Sequence, residues 1–242
     1  MNADSRPAVW SDPPASLILC PQEVHVWRAH LDITPQTLGR FYLLLSEEER
    51  VRTDRFCFPK HRNRFIASHG ALREILSRYL SIDSQEIAYR NNDYGKPYLA
   101  NSPIEFNLSH SHLMALIAVA ERRRIGVDVE WMRENIEYES IARRFFSPQE
   151  AANIKSIPSF FHCWTRKEAY IKAQGMGLSI PLDSFEVSTD PNDEEVRLTI
   201  HDPANERERW TIKTIDVKEG YAAAAAVEDE TGVFHFWEWR TM

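Results

Sequence analysis

The feature that most restricts the fold is that the chain repeats itself. Val26 and Val127 lie in apolar, β-branched segments, and Ser46-Glu47-Glu48-Glu49 and Ser147-Pro148-Gln149-Glu150 both carry the capping-box pattern of a helix start. Ile82-Asp83-Ser84-Gln85-Glu86-Ile87 is matched by Leu182-Asp183-Ser184-Phe185-Glu186-Val187, and the short apolar run Met114–Val119 by Ala222–Val227. The pairs keep one order at a spacing of about one hundred residues, as an internal repeat does. Two similar α+β lobes are therefore expected, residues 1–123 and 124–242, joined near 121–125 and related by a pseudo-twofold axis. The interface between them is the natural place for a cleft.

Within each half the periods are readable. Val24–Leu31 alternates apolar and polar residues like a half-buried strand, and Phe65–Leu76 has the apolar face of a helix. Asn91–Pro97 is turn chemistry. Met114–Ala120 is a buried strand, and Val233–Trp239 alternates again and is expected to add an edge strand. Residues 1–16, with Pro7, Pro13 and Pro14, suggest a loose tail or an extended arm.

Bulk properties exclude several classes. A formal charge of −7 argues against a nucleic-acid or anionic-membrane binder. The three cysteines, Cys20, Cys57 and Cys163, have no metal-type spacing and form no even framework, which suits a reducing cytoplasm. The first residues lack a signal-peptide pattern, and no apolar run approaches the roughly 20 residues needed to span a bilayer. A cytoplasmic protein is expected.

Two segments carry chemistry. In Trp164-Thr165-Arg166-Lys167-Glu168-Ala169-Tyr170-Ile171-Lys172, a helix would bring Trp164, Lys167, Glu168 and Lys172 to one side. Taken by itself, this helix reads better as a solvated face with an ordinary Glu168–Lys172 ion pair. Gly126-Val127-Asp128-Val129-Glu130 changes the balance, because a strand puts Asp128 and Glu130 on one face. With Glu168 they could supply the oxygen ligands of a hard divalent cation such as Mg²⁺, and Lys172 could hold a phosphate upon it. The basic run Arg50–Arg64 suits a small phosphorylated ligand or a solvated basic face. Ser109-His110 opens a buried strand, and Gly95-Lys96-Pro97 is by itself a turn. Without a Walker, dinucleotide, nucleophile-elbow or zinc pattern, the residues alone lead to a metal-assisted enzyme acting on a phosphate compound.

Phe106-Asn107-Leu108-Ser109-His110-Ser111, Ile125–Glu130, Arg144-Phe145-Phe146-Ser147-Pro148-Gln149-Glu150 and Trp164–Lys172, in that order, resemble the motifs of the Sfp-type 4′-phosphopantetheinyl transferases. Arg64-Phe65-Ile66-Ala67 and Gly95-Lys96-Pro97 fit as well, so the resemblance spans roughly residues 40–190. It implies a pseudo-dimer of two α+β lobes with coenzyme A between them. The implied reaction moves phosphopantetheine from coenzyme A to a serine of an apo acyl or peptidyl carrier protein of a fatty-acid, polyketide or peptide synthetase, leaving adenosine 3′,5′-bisphosphate. Carried over, Asp128, Glu130 and Glu168 are metal ligands, and Glu168 is also a base for the acceptor serine. Lys172 contacts the pyrophosphate, with Lys167 on the same helix counted among the coenzyme A contacts. Ser109, His110 and Arg52 sit at the 3′-phosphate, and Gly95, Lys96 and Pro97 line the adenine. Glu49 stands where some relatives have a basic residue. Arg143-Arg144-Phe145-Phe146 is a candidate carrier contact. A monomer is expected, and the alternatives are a non-catalytic binding module and a metal-dependent phosphohydrolase of the same fold.

Overall fold

The computed structural model describes residues 8–193, 196–201, 209–229 and 232–240. The first half runs β1 (Glu23–His30), α1 (Pro35–Leu44), α2 (Glu47–Thr53), α3 (Pro59–Leu80), β2 (Tyr89–Asn91), β3 (Pro97–Leu99), β4 (Ile104–Ser111) and β5 (Met114–Glu121). The second runs β6 (Ile125–Trp131), α4 (Tyr138–Phe145), α5 (Pro148–Asn153), α6 (Ile157–Gln174), β7 (Phe185–Val187), β8 (Leu198–Ile200), β9 (Trp210–Thr214), β10 (Tyr221–Glu228) and β11 (Val233–Trp239). Beside the two-stranded ribbons β2-β3 and β7-β8, the two larger sheets have the orders β11-β1-β5-β4 and β6-β10-β9. Apart from β11, these are the same sheet built twice from the same sequence of elements, so the two expected α+β lobes are present.

The central strands show why the lobes fold this way. In β5, Ala115, Ile117 and Val119 face the core beneath α1 and α3, while Leu116, Ala118 and Ala120 face the other sheet. In β10, Ala223, Ala225 and Val227 face the same inter-sheet core, while Ala222, Ala224 and Ala226 face α6. A period of two in an apolar strand covered on both faces thus gives helices, sheet, sheet, helices. The alanines admit α6 very close to its sheet. At Gly126 a β-carbon would stand 2.1 Å from the Ala169 carbonyl oxygen, so no larger residue fits there.

Both capping boxes form, Ser46 with Glu49 and Ser147 with Glu150, and each glutamate then reaches the long helix of its lobe. Glu49 receives His69 and Arg73 of α3, each at 2.8 Å. Glu150 receives Lys167 of α6 at 2.8 Å, with Cys163 one turn earlier at 3.9 Å. Arg73 also donates to the Ser84 and Ile87 carbonyls, and Lys167 to those of Leu182 and Phe185. The repeated 82–87 and 182–187 segments therefore perform one task, although the carbonyls engaged are displaced from the register the sequence match suggests.

The terminal strand departs from the expected division at 123/124. β11 is an edge strand of the first sheet, pairing in parallel with β1 from Glu23↔Val233 to Ala29↔Trp239. Its two faces explain the crossing: Trp237 and Trp239 pack on the α3 side, Phe234 and Phe236 on the inter-sheet side. The start of the chain is an extended arm from residue 8, with Ser11 bonded to Phe236 and Glu238 of β11. Residues 1–7 lie outside the described part. Among the described residues, no helix is long and apolar enough to cross a membrane.

Candidate active site

The lobes meet where β4 runs beside β6. Amide groups on the outward edge of β6 find side chains there rather than a backbone ladder. Val127 N–H donates to Asn107 Oδ1 at 2.9 Å, Val129 N–H to Ser109 Oγ at 3.4 Å and Trp131 N–H to Ser111 Oγ at 3.1 Å. Asn107, Ser109 and Ser111 alternate along β4, so one polar stripe satisfies the edge of the other lobe. Sequence reasoning missed this zipper, though its signal, three polar residues at a period of two, was there to read.

The same serines orient the carboxylates. Ser109 Oγ donates to Asp128 Oδ1 at 2.8 Å and Ser111 Oγ to Glu130 Oε2 at 2.7 Å. From α6, Lys172 Nζ reaches Asp128 Oδ1 at 2.5 Å and Ser109 Oγ at 3.0 Å. Asp128 is buried, and its second oxygen, Oδ2, has no hydrogen-bond partner. Such an atom is costly to leave bare and is placed to take a hard cation. Burial, then Asp128, pushes the Glu130 carboxyl above its ordinary range, and burial, Asp128 and Glu130 do the same to Glu168. The three acids share one cleft and repel one another. Their oxygens are not gathered within 4.8 Å, a closeness that among the described residues only Glu23, His25 and His235 reach.

A basic group faces this cleft from the first lobe. Burial, then His69, Lys172, Arg52 and Arg64, push the His110 imidazole down to about 4 although part of the ring meets solvent. Arg52 lies over the Phe65 ring at 5.0 Å, and His69 is stacked on that same ring with centroids 3.9 Å apart. A cavity of 720 Å³ lined by Glu47, Glu48, Val51, Arg52, Arg55 and Phe56 touches this group only through Arg52.

Three expected ligand contacts are placed differently. Lys167 does not face the cleft: it is wholly buried against Glu150, because adjacent helix residues diverge by about 100° and Glu168 alone takes the seam side. Lys96 donates its ammonium to the Ile125 and Ala173 carbonyls, and burial pushes it down to about 8, so it clamps the lobes. Gly95 supplies the turn with φ +86, and Asn92 ties the loop to the Gly175 carbonyl at the end of α6, with Pro97 opening β3. The Ser109 hydroxyl donates to Asp128 and accepts from Lys172 and the Val129 amide, so it orients the groups of the seam. Glu49 is the capping glutamate of α2, which explains an acid among so many bases. Phe146 is core, stacked on Phe160, while Phe145 is 42% exposed and Arg143 pairs with Glu139.

Comparison with known proteins agrees with this arrangement. The 4′-phosphopantetheinyl transferase superfamily matches residues 124–226, and the N-terminal 4′-phosphopantetheinyl transferase family matches residues 32–122. The 4′-phosphopantetheinyl transferase HetI of Nostoc sp. is 37% identical over 240 residues, covering 95% of this chain and 98% of that relative. The 4′-phosphopantetheinyl transferase Sfp of Bacillus subtilis is 33% identical over 192 residues, covering 76% of this chain and 83% of that protein. A phosphopantetheinyl transferase of Thraustochytrium sp. is 26% identical over 237 residues, 89% of this chain and 80% of its own length. A seam of two repeated lobes, three acids and a lysine, together with near full-length likeness to such enzymes, places the chain in the 4′-phosphopantetheinyl transferase family.

Proposed function

We propose that the enzyme transfers phosphopantetheine from coenzyme A to the serine of an apo carrier protein at the β4–β6 seam, with Mg²⁺ held by Asp128, Glu130 and Glu168. The observation that carries this reading is the bare, buried Asp128 Oδ2 beside Lys172. Mg²⁺, when bound, offsets the charge of the pyrophosphate and of the acids around it. His110 and Arg52 bind the 3′-phosphate, and the backbone of the Gly95–Pro97 turn lines the adenine. Lys172 holds the pyrophosphate, its ammonium already poised at the cleft.

The acceptor hydroxyl comes from the carrier, so the chain needs no nucleophile of its own. The serine oxygen forms a bond to the phosphorus that bears pantetheine as the bond to the adenosine-side bridging oxygen breaks, releasing adenosine 3′,5′-bisphosphate. Glu168 takes the serine proton, a role suited to a carboxylate whose basicity is raised by burial and by two neighbouring acids. Exposed Phe145 with Arg143 gives the carrier a surface on α4. Both halves of the site come from one chain, so a monomer suffices.

The test is mass spectrometry of several apo carrier proteins incubated with the enzyme, coenzyme A and Mg²⁺. A gain of one phosphopantetheine on a carrier supports the reading. Phosphopantetheine released without an acceptor would make the enzyme a phosphohydrolase, and coenzyme A bound without turnover would make it a binding module.

A further inference from the structure

Away from the seam, the paired β1 and β11 strands gather a second group of donors. His25 stands opposite His235 in the parallel register, and Glu23 lies two residues before His25, on the same face. One ligand atom from each of the three lies within 4.8 Å of the other two. The His25 Nε2 is 3.5 Å from Glu23 Oε2 and the His235 Nε2 is 3.4 Å from Oε1, so both rings aim the same nitrogen at one carboxylate. These separations are long for hydrogen bonds and leave room between the atoms.

The surround resembles that of a metal centre. His25 Nδ1 is 2.7 Å from the Tyr79 hydroxyl, which also accepts from Trp27 Nε1 at 2.8 Å. That hydroxyl can donate to Nδ1 or accept from it, and in the second case Nε2 keeps a free lone pair. Metal-bound histidines generally have such an outer partner fixing the ring. Cys20 N–H donates to Glu23 Oε2 at 3.0 Å and so holds that carboxylate in place.

We propose that Glu23, His25 and His235 bind a divalent transition metal of the Zn²⁺ class, with water completing the set. Two imidazoles and a carboxylate suit Zn²⁺ with one open position, whereas Mg²⁺ prefers oxygen ligands alone. Because the donors come from β1 and β11, the ion clips the terminal strand to the first sheet.

Full-length protein stripped with a chelator is titrated with Co²⁺ and Zn²⁺ in excess Mg²⁺. The wild type is expected to show a tetrahedral Co²⁺ spectrum, displaced by Zn²⁺, and a Zn²⁺-dependent rise in melting temperature. His235→Ala, at a half-exposed position that spares the buried His25, should bind Zn²⁺ about a hundredfold more weakly and lose the rise. The proposal is overturned if the wild type binds no Zn²⁺, or if His235→Ala binds it as well as the wild type does. A response abolished by Asp128→Asn instead would place the ion at the seam and also overturn it.

Discussion

The long helices of the two lobes can be laid over one another contact by contact. Arg73 on Glu49 answers to Lys167 on Glu150, and Tyr79 against His25 answers to Ala173 against Gly126. The same register sets Glu74 beside Glu168 and Arg78 beside Lys172. Yet Arg78 lies over the Trp27 ring at 5.3 Å where Lys172 meets Asp128, and Glu74 pairs with Arg40 of α1. Trp27 and Ala29 occupy the positions of Asp128 and Glu130. The frame was kept in both lobes, and only one strand was given carboxylates. A twofold relation would make a second seam between β1 and β9, but β11 lies on that edge of β1 instead. The second lobe carries the three acids and Lys172, and the first carries the basic groups around His110 and the stripe on β4.

The widest separation should come from the paired glutamates. Glu168→Gln is expected to cut kcat by about 10²–10⁴-fold at saturating Mg²⁺, with a melting temperature no lower than wild type, since burial already disfavours its charge. Glu74→Gln, its counterpart in α3, should leave kcat unchanged. Equal losses in steady-state assays would break the comparison.

Next in size is the buried cation of each joint. Lys167→Met leaves Glu150, which is 2% exposed, with the Ser147 and Val187 amides but without its ion pair, and should cost about 3–5 kcal/mol in denaturant unfolding. Arg73→Met should cost less, because Glu49 keeps His69 and the Ser46 amide. Identical costs would show that the two joints are mechanically the same.

The division between binding and reacting lobes is sharpened by coenzyme A affinity. His110→Ala and Arg52→Ala should weaken it about ten- to hundredfold by calorimetry, with little effect on dephospho-coenzyme A. A matching loss for the analogue would take both residues away from the 3′-phosphate. Lys96→Ala, as a clamp between lobes, should affect both ligands alike.

The smallest effect is a pH dependence of the first joint. Burial alone would raise the Glu49 pKa, but His69 and Arg73 outweigh it and hold it at about 2. A carboxyl lowered on folding stabilises fully above its unfolded value of 4.5, and that contribution fades as pH falls towards 2. Melts in this window should fall less steeply for Glu49→Gln than for the wild type. Parallel curves would mean that the joint carries no such charge.

Much of this was legible because it repeats or alternates. The capping boxes announced α2 and α5, the period of two announced β5 and β10, and Asp128 and Glu130 followed from the strand alone. Lys167 was misplaced because a face broad enough to hold Trp164 and Lys172 also admits a residue that turns inward. The partners of Ser109 and Lys96 within the protein could not be read, because a sequence shows a polar side chain but not the carbonyl or carboxylate it meets across a seam. The crossing of β11 was invisible for a similar reason: its alternation says that it is a strand, while its partner lies some two hundred residues away.

That distance also sets an order in time. Glu23 pairs with Val233, so the edge of the first sheet closes only after nearly the whole chain exists. As the chain leaves the ribosome, β1, β4 and β5 can associate while the second lobe is still being made, with the outer edge of β1 unpaired. An open strand edge is a template for stray pairing. The contact that ends this interval is among the longest-range in the molecule, and such contacts form slowly. The lobe that is synthesised first is in this way the last to be finished.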